Sequence, residues 1–233
     1  MKQIWIFGDS YGENCKLKFP QSPTYQWPVE ISKVTNVKNF AFAGCGPETQ
    51  LDYLLDKIIQ NNTTNIDVIF FISHPMRKPY NFYEDPSHQT YIKSFFNEVT
   101  NLNQYAKYDD YIKKDVLYND INCETQVYKY LCTLKELSKY VNKMLVYTNF
   151  ILLPDNLVKD VNTDSFHFMN MPLAFIDYEA DPQTPNHLRE VNHKTMYKQI
   201  FSYFTKGTSI DIFKFKNLSP DVWKKEKIRK EVL

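Results

Sequence analysis

Glycine is scarce in this chain, with 5 among 233 residues. Collagen-like and Gly-rich linker architectures are therefore excluded, and each glycine invites a positional reading. The 4 cysteines form no Cys-x-x-Cys pair, and the histidines fall at no zinc-finger spacing, so neither a structural zinc site nor a disulfide scaffold is written here. Buried packing is the expectation for Cys15 and Cys45. Charge of one sign is also missing: 28 basic against 27 acidic residues leave +1, which speaks against a general nucleic-acid or anionic-membrane binder. No apolar run approaches the roughly 20 residues of a membrane span. A core-type strand starts at residue 4 with no charged-then-apolar leader, so the chain is expected to be cytoplasmic at synthesis, with reduced thiols. Repeats are absent too.

Aromatics, in contrast, are abundant at 16%, with 17 Tyr and 17 Phe. The hydrophobic share of 43% and charged share of 24% are those of an ordinary globular domain, and the length suffices for a sizeable core. Ile4-Trp5-Ile6-Phe7 is a short continuous apolar run that stops at Gly8-Asp9-Ser10. Such a run reads as a buried strand of a parallel sheet, and Gly8 allows a sharp exit from it. Asp9 and Ser10 then fall at a strand's carboxyl end, where open α/β sheets carry their chemistry. A serine there becomes a nucleophile when a base reaches it. Read without context, Asp and Ser are also ordinary turn formers.

Helices and strands alternate along the rest of the chain. Tyr25 to Ile31 opens a helix with Pro28 in its first turn, and Val37 to Ala43 reads as a second strand. Glu48 to Ile59 has Leu51, Leu54, Leu55, Ile58 and Ile59 at helical spacing. Asp67 to Ile72 is the strongest apolar run, a third strand, and a long aromatic loop over 73–90 leaves its carboxyl end. A helix is expected from Tyr91 to Tyr105, an exposed Lys, Asp and Tyr-rich insertion over 106–122, and a long helix from Glu124 to Asn142. Asp109-Asp110 reads as a solvated turn rather than a metal site. Met144 to Asn149 gives a fourth strand, Pro172 to Tyr178 a short fifth, and Arg189 to Phe204 a last helix. The pattern predicts a domain over 1–205, with insertions near 76–90 and 106–122, and a basic amphipathic tail over 206–233, packed on the domain or used in association. The alternation implies a parallel sheet with helices on both faces. Gly44-x-Gly46 suggests a dinucleotide loop only superficially: the third Gly is missing and it follows the second strand rather than the first.

Phe7-Gly8-Asp9-Ser10 resembles the first block of the SGNH, or GDSL, hydrolases, a superfamily of serine esterases. Trp27-Pro28, and then Asn39-Phe40-Ala41 ahead of Gly44, are similar to that family's lead-in to its second block. His187-Leu188 through Asn192-His193 resembles the final block, in which the catalytic His precedes the last helix. The resemblance implies an α/β fold, a three-layer α/β/α sandwich on a flavodoxin-like parallel five-stranded sheet. It implies Ser10 as nucleophile, His187 as base, and an oxyanion hole built on Ser10 and Gly44, with Gly46 close behind. It calls for no metal or cofactor. The substrate it implies is a small ester or an acylated carbohydrate, such as an O-acetyl group on a glycan.

Two departures stand beside these matches. The third strand of the family ends in an Asn that donates to the oxyanion, but here Ser73-His74-Pro75-Met76-Arg77 follows Ile72. Ser73, His74, Arg77 and Asn81 are the candidates to replace it. An Asp two or three residues before the His is also usual, and those positions hold Pro185 and Thr184. Asp181 lies six residues upstream on a Pro-rich loop, and a Ser–His dyad is the alternative. These departures fit a second class of function, a degenerate SGNH fold retained for binding or as a structural part. The Asn, Lys and Tyr-rich style also resembles bacteriophage sequences, where such domains serve in virions. A phosphoester hydrolase using Asp9 would need a second carboxylate cluster to hold metal, and the sequence shows none.

Overall fold

The first strand states the architecture by alternation. Ile4 and Ile6 pack in one buried cluster, whereas Trp5 and Phe7 pack in another, as the period of two requires when both faces of a sheet are covered. The computed structural model describes residues 2–12, 25–42, 45–75, 111–149, 151–173, 176 and 188–218, with side chains of the long helix described from residue 123. In chain order it contains β1 (Gln3–Phe7), α1 (Trp27–Ser32), β2 (Val37–Asn39), α2 (Pro47–Gln60), β3 (Ile66–Ile72), α3 (Tyr111–Leu137), β4 (Lys143–Thr148), α4 (Asp155–Val158), β5 (Phe166–Met169) and α5 (Glu190–Lys206).

The five strands form one parallel sheet in the order β2-β1-β3-β4-β5. This is the flavodoxin-like doubly wound order, with its switch point between β1 and β3. β3 is buried along its whole length, as a central strand covered on both faces must be. Trp27 and Ile31 of α1 join Met196, Ile200, Tyr203 and Phe204 of α5 on the Ile4 and Ile6 face. Leu54 of α2 joins Val127, Leu131 and Leu134 of α3 on the Trp5 and Phe7 face. The predicted three-layer α/β/α sandwich is therefore present.

Helix ends follow local chemistry. Pro28 and Pro47 occupy first-turn positions, where the missing N–H costs nothing. Gly207 closes α5 in the left-handed conformation, and its N–H donates to the Tyr203 carbonyl. Among the described residues no helix is long and apolar enough to cross a membrane.

Three expectations need correction. The second strand is regular only over Val37–Asn39 rather than to Ala43: the Phe40 and Phe42 N–H groups still donate to the Ile6 and Gly8 carbonyls of the β1 edge, but the Ala41 N–H between them is taken by the Asn39 side chain. α3 begins at Tyr111, so the polar residues 111–122 are helical and continuous with the predicted Glu124 helix. The fifth strand is Phe166–Met169 instead of the stretch from Pro172 to Tyr178. Four residues with a histidine among them carry too little pattern to be read as a strand, yet Phe166 and Phe168 are buried against the helices and their pairing with β4 is parallel and in register. Ile176, within the predicted strand, makes only an isolated antiparallel bridge with Leu218. The start of the tail packs on the domain, one of the two roles expected of it. Phe215 and Leu218 are buried in the α1 and α5 cluster. The Asn192 amide also donates to the Lys216 carbonyl and accepts from the Lys216 N–H. Residues 219–233 lie outside the described part.

Candidate active site at the carboxyl ends of β1, β3 and β4

Chain exit from β1 is a tight turn. The Gly12 N–H donates to the Asp9 carbonyl at 3.0 Å, so Ser10 and Tyr11 are its central residues. Gly8 enters the turn at φ +131°, and a Cβ added there would meet Phe71 Cβ at 2.5 Å. Only glycine satisfies both the backbone angle and the approach to β3. Ser10 is half-buried at the switch point.

Side chains from four other elements fix this turn. Gln50 of α2 accepts from the Gly8 N–H at 2.9 Å, within the buried interior. Asp9 is fully buried, and its Oδ1 accepts from the Tyr11 N–H at 3.2 Å and from Asn149 Nδ2 at 2.6 Å. The Trp27 indole of α1 donates to the Tyr11 carbonyl at 3.1 Å, and Asn39 of β2 donates to the Gly12 carbonyl at 2.8 Å. Backbone polar groups leaving a buried strand must find partners, and here side chains supply them.

Residues at the neighbouring strand ends complete the edge. Ser73 and His74 follow β3 and are buried, at 2% and 9% exposure. Asn149 follows β4, and its N–H extends the sheet by donating to the Ile72 carbonyl at 3.0 Å. Its side chain is fully buried, and Oδ1 has no hydrogen-bond partner among the described residues. Beneath it, Tyr147 stacks on Phe71 at 5.2 Å, and burial pushes its phenol far above the ordinary range. His193, in the first turns of α5, accepts the Trp27 backbone N–H on Nδ1 at 3.4 Å. That nitrogen therefore presents a lone pair, and α5 is tied through Trp27 to the serine turn.

Of the sequence-predicted residues, Ser10, Gly46, Ser73 and His74 lie in the described part. Ser10 and Ser73 follow the adjacent strands β1 and β3, while Gly46 is the N-cap of α2, the helix whose Gln50 holds Gly8. Gly44, Asn81, Asp181 and His187 lie outside the described residues, as do Arg77 and Cys15. Cys45 is buried. Sequence reasoning missed Asn149, Gln50, Asn39 and Trp27 as holders of the turn. For Asn149 a signal existed, since it is a polar residue closing an apolar strand at a sheet's carboxyl end. Among the described residues no group of three or more His, Cys, Asp or Glu is placed to share a metal ion.

No family model matches the chain, and no curated protein does. Solved structures do. TesA is similar at 10% identity and a TM-score of 0.48, covering 88% of this chain and 98% of its own. A lipolytic protein of the G-D-S-L family from Veillonella parvula is similar at 13% identity and a TM-score of 0.46, covering 88% and 98%. A catalytic mutant of an acetylxylan esterase from Geobacillus stearothermophilus is similar at 12% identity and a TM-score of 0.47, covering 88% and 94%. The fold assignment rests on the strand order of the chain itself.

Proposed function

We propose that the protein is a serine ester hydrolase acting on a small acyl ester, with an O-acetyl group on a glycan as the substrate class. The observation that carries this reading is the half-buried Ser10 on a glycine-led turn at the carboxyl end of β1, beside the switch point. In this reading Ser10 Oγ attacks the ester carbonyl while His187 takes its proton. The oxyanion is held by the N–H groups of Ser10 and Gly44, with Gly46 near and Ser73 or Asn81 in place of the missing Asn. His187 then protonates the departing alcohol, and water, activated by the same histidine, releases the acid and restores Ser10. Asp181 orients the imidazole, or a backbone carbonyl does so in a dyad. Asp9 belongs to the turn and has no part in proton transfer.

A second reading is a binding protein on the same fold. It is favoured by the buried Ser73 and His74 at the position where the resemblance expects an oxyanion-donating Asn.

The test is labelling with a fluorophosphonate, read by intact mass, on wild type, Ser10→Ala and His187→Ala. A single adduct on wild type that is lost in both variants supports the esterase. A folded wild type that takes no adduct overturns it and favours the binding role, to be pursued with glycan arrays.

A further inference from the structure

Asp9 is a buried carboxylate two atoms of backbone from the serine, and one side chain from outside the turn reaches it in a described hydrogen bond. Asn149 Nδ2 donates to Asp9 Oδ1 at 2.6 Å. Both side chains are fully buried. The bond joins β1 to β4, two strands that do not neighbour each other, across the carboxyl end of β3. Asn149 is itself fixed, because its backbone N–H donates to the Ile72 carbonyl. The Asp9 oxygen it holds also accepts the Tyr11 N–H, so the bond acts on the two residues that flank Ser10.

We infer that Asn149 is a positioning residue for Ser10: it holds the Asp9 carboxylate so that the Asp9–Gly12 turn keeps the serine in its attacking orientation. The inference rests on the esterase reading above. Alternatives for Asn149 are poorer. A purely structural amide in a strand-end position would satisfy both of its polar ends, whereas this one leaves Oδ1 without a hydrogen-bond partner among the described residues while Nδ2 is committed to Asp9. The residue is thus retained at a cost in burial for the single bond to Asp9.

The experiment measures the fluorophosphonate inactivation constants of wild type, Asn149→Ala, Asn149→Asp and the exchange variant Asp9→Asn with Asn149→Asp, with Tm recorded for each. The single variants should lower kinact on the order of 10²-fold with KI nearly unchanged, as a misplaced nucleophile does. Asn149→Asp sets two carboxylates at hydrogen-bond distance, while the exchange restores one donor facing one carboxylate, so the exchange should recover about tenfold or more over Asn149→Asp alone. Recovery by exchange is not expected of a residue that matters only for packing. Folded Asn149→Ala with wild-type kinact overturns the inference, as does an exchange variant no faster than Asn149→Asp. In both of those cases the wild type is still labelled at Ser10, so the esterase reading stands. If wild type takes no label, the esterase reading fails and the positioning role fails with it.

Discussion

The sheet carries an Asp–Asn pair at each of its ends. At the carboxyl end Asn149 donates to Asp9 at 2.6 Å; at the amino end Asn142 donates to Asp67 at 2.5 Å. The two are alike in chemistry and in the burial of the carboxylate, since Asp9 is fully buried and Asp67 is 2% exposed, but Asn149 is fully buried whereas Asn142 is half-buried. They differ in what the carboxylate is attached to. Asp67 stands inside β3, paired in register with Ile4 and Lys143, and its backbone is held by the ladder whatever its side chain does. Asp9 stands in a turn, where the ladder has ended and side chains must do the holding. The same pair is therefore a local stability element at one end and a geometric constraint on Ser10 at the other.

The largest expected effect is the loss of the reacting atom. Ser10→Ala should abolish fluorophosphonate labelling and leave Tm near that of wild type, because the half-buried hydroxyl contributes little packing. Labelling that persists on another residue would mean that the carboxyl end of β1 is not where the chemistry lies.

Next comes the turn itself. Gly8→Ala combines a φ of +131° with a Cβ 2.5 Å from Phe71 Cβ, so it should cost about 2–4 kcal/mol, read by denaturant unfolding. A cost below about 0.5 kcal/mol, the range of neutral surface changes, would show that β1 and β3 can separate locally without penalty.

The pairs themselves are then compared directly. Asn142→Ala strips Asp67 of its hydrogen bond and should cost about 1–3 kcal/mol, with the labelling rate of Ser10 unchanged. Asn149→Ala should show the opposite balance, with the rate falling more than the stability predicts. Equal effects on rate from both variants would erase the distinction between the two ends.

How much of this was legible in the chain follows from the same physics. β1, β3 and β4 are continuous apolar runs, and they were readable because central parallel strands bury both faces. β5 was not, since its four residues owe their strand form to pairing with β4 and to the Asn162 side chain, which accepts from the Phe168 N–H. The start of α3 was hidden for a related reason: the Lys, Asp and Tyr composition of 111–122 reads as solvated, and composition does not report continuity with a helix further on. Gly8-Asp9-Ser10 announced the turn, but its anchors come from residues 27, 39, 50 and 149, and only the folded sheet brings these to residues 8–12. Long-range hydrogen bonds between single polar side chains leave no periodic trace in a sequence.

The smallest expected effect concerns charge at the amino end. Burial raises the Asp67 carboxyl above its ordinary 3.8, against the lowering influences of Asn142, Lys2 and Lys143. A folded-state value above the unfolded one means that this group's contribution is fully present below pH 3.8 and is lost as pH rises through the folded value. At neutral pH the ionised Asp67 is thus a net cost. Asp67→Asn keeps an oxygen to accept from Asn142 and removes the charge. Its Tm should exceed that of wild type at pH 7, and the gap should close as the pH is brought down toward 4. His167 works in the other sense. Burial lowers its value below 6.5, so the stability it contributes is complete above that pH and declines as pH falls through it. Both proteins carry His167, so its effect cancels in the difference between their Tm profiles, and the difference reports Asp67 alone. A Tm for Asp67→Asn below that of wild type at pH 7 would mean that attraction to Lys2 and Lys143 outweighs burial. The amino-end pair would then be a net ionic stabiliser of the strand rather than a tolerated buried charge.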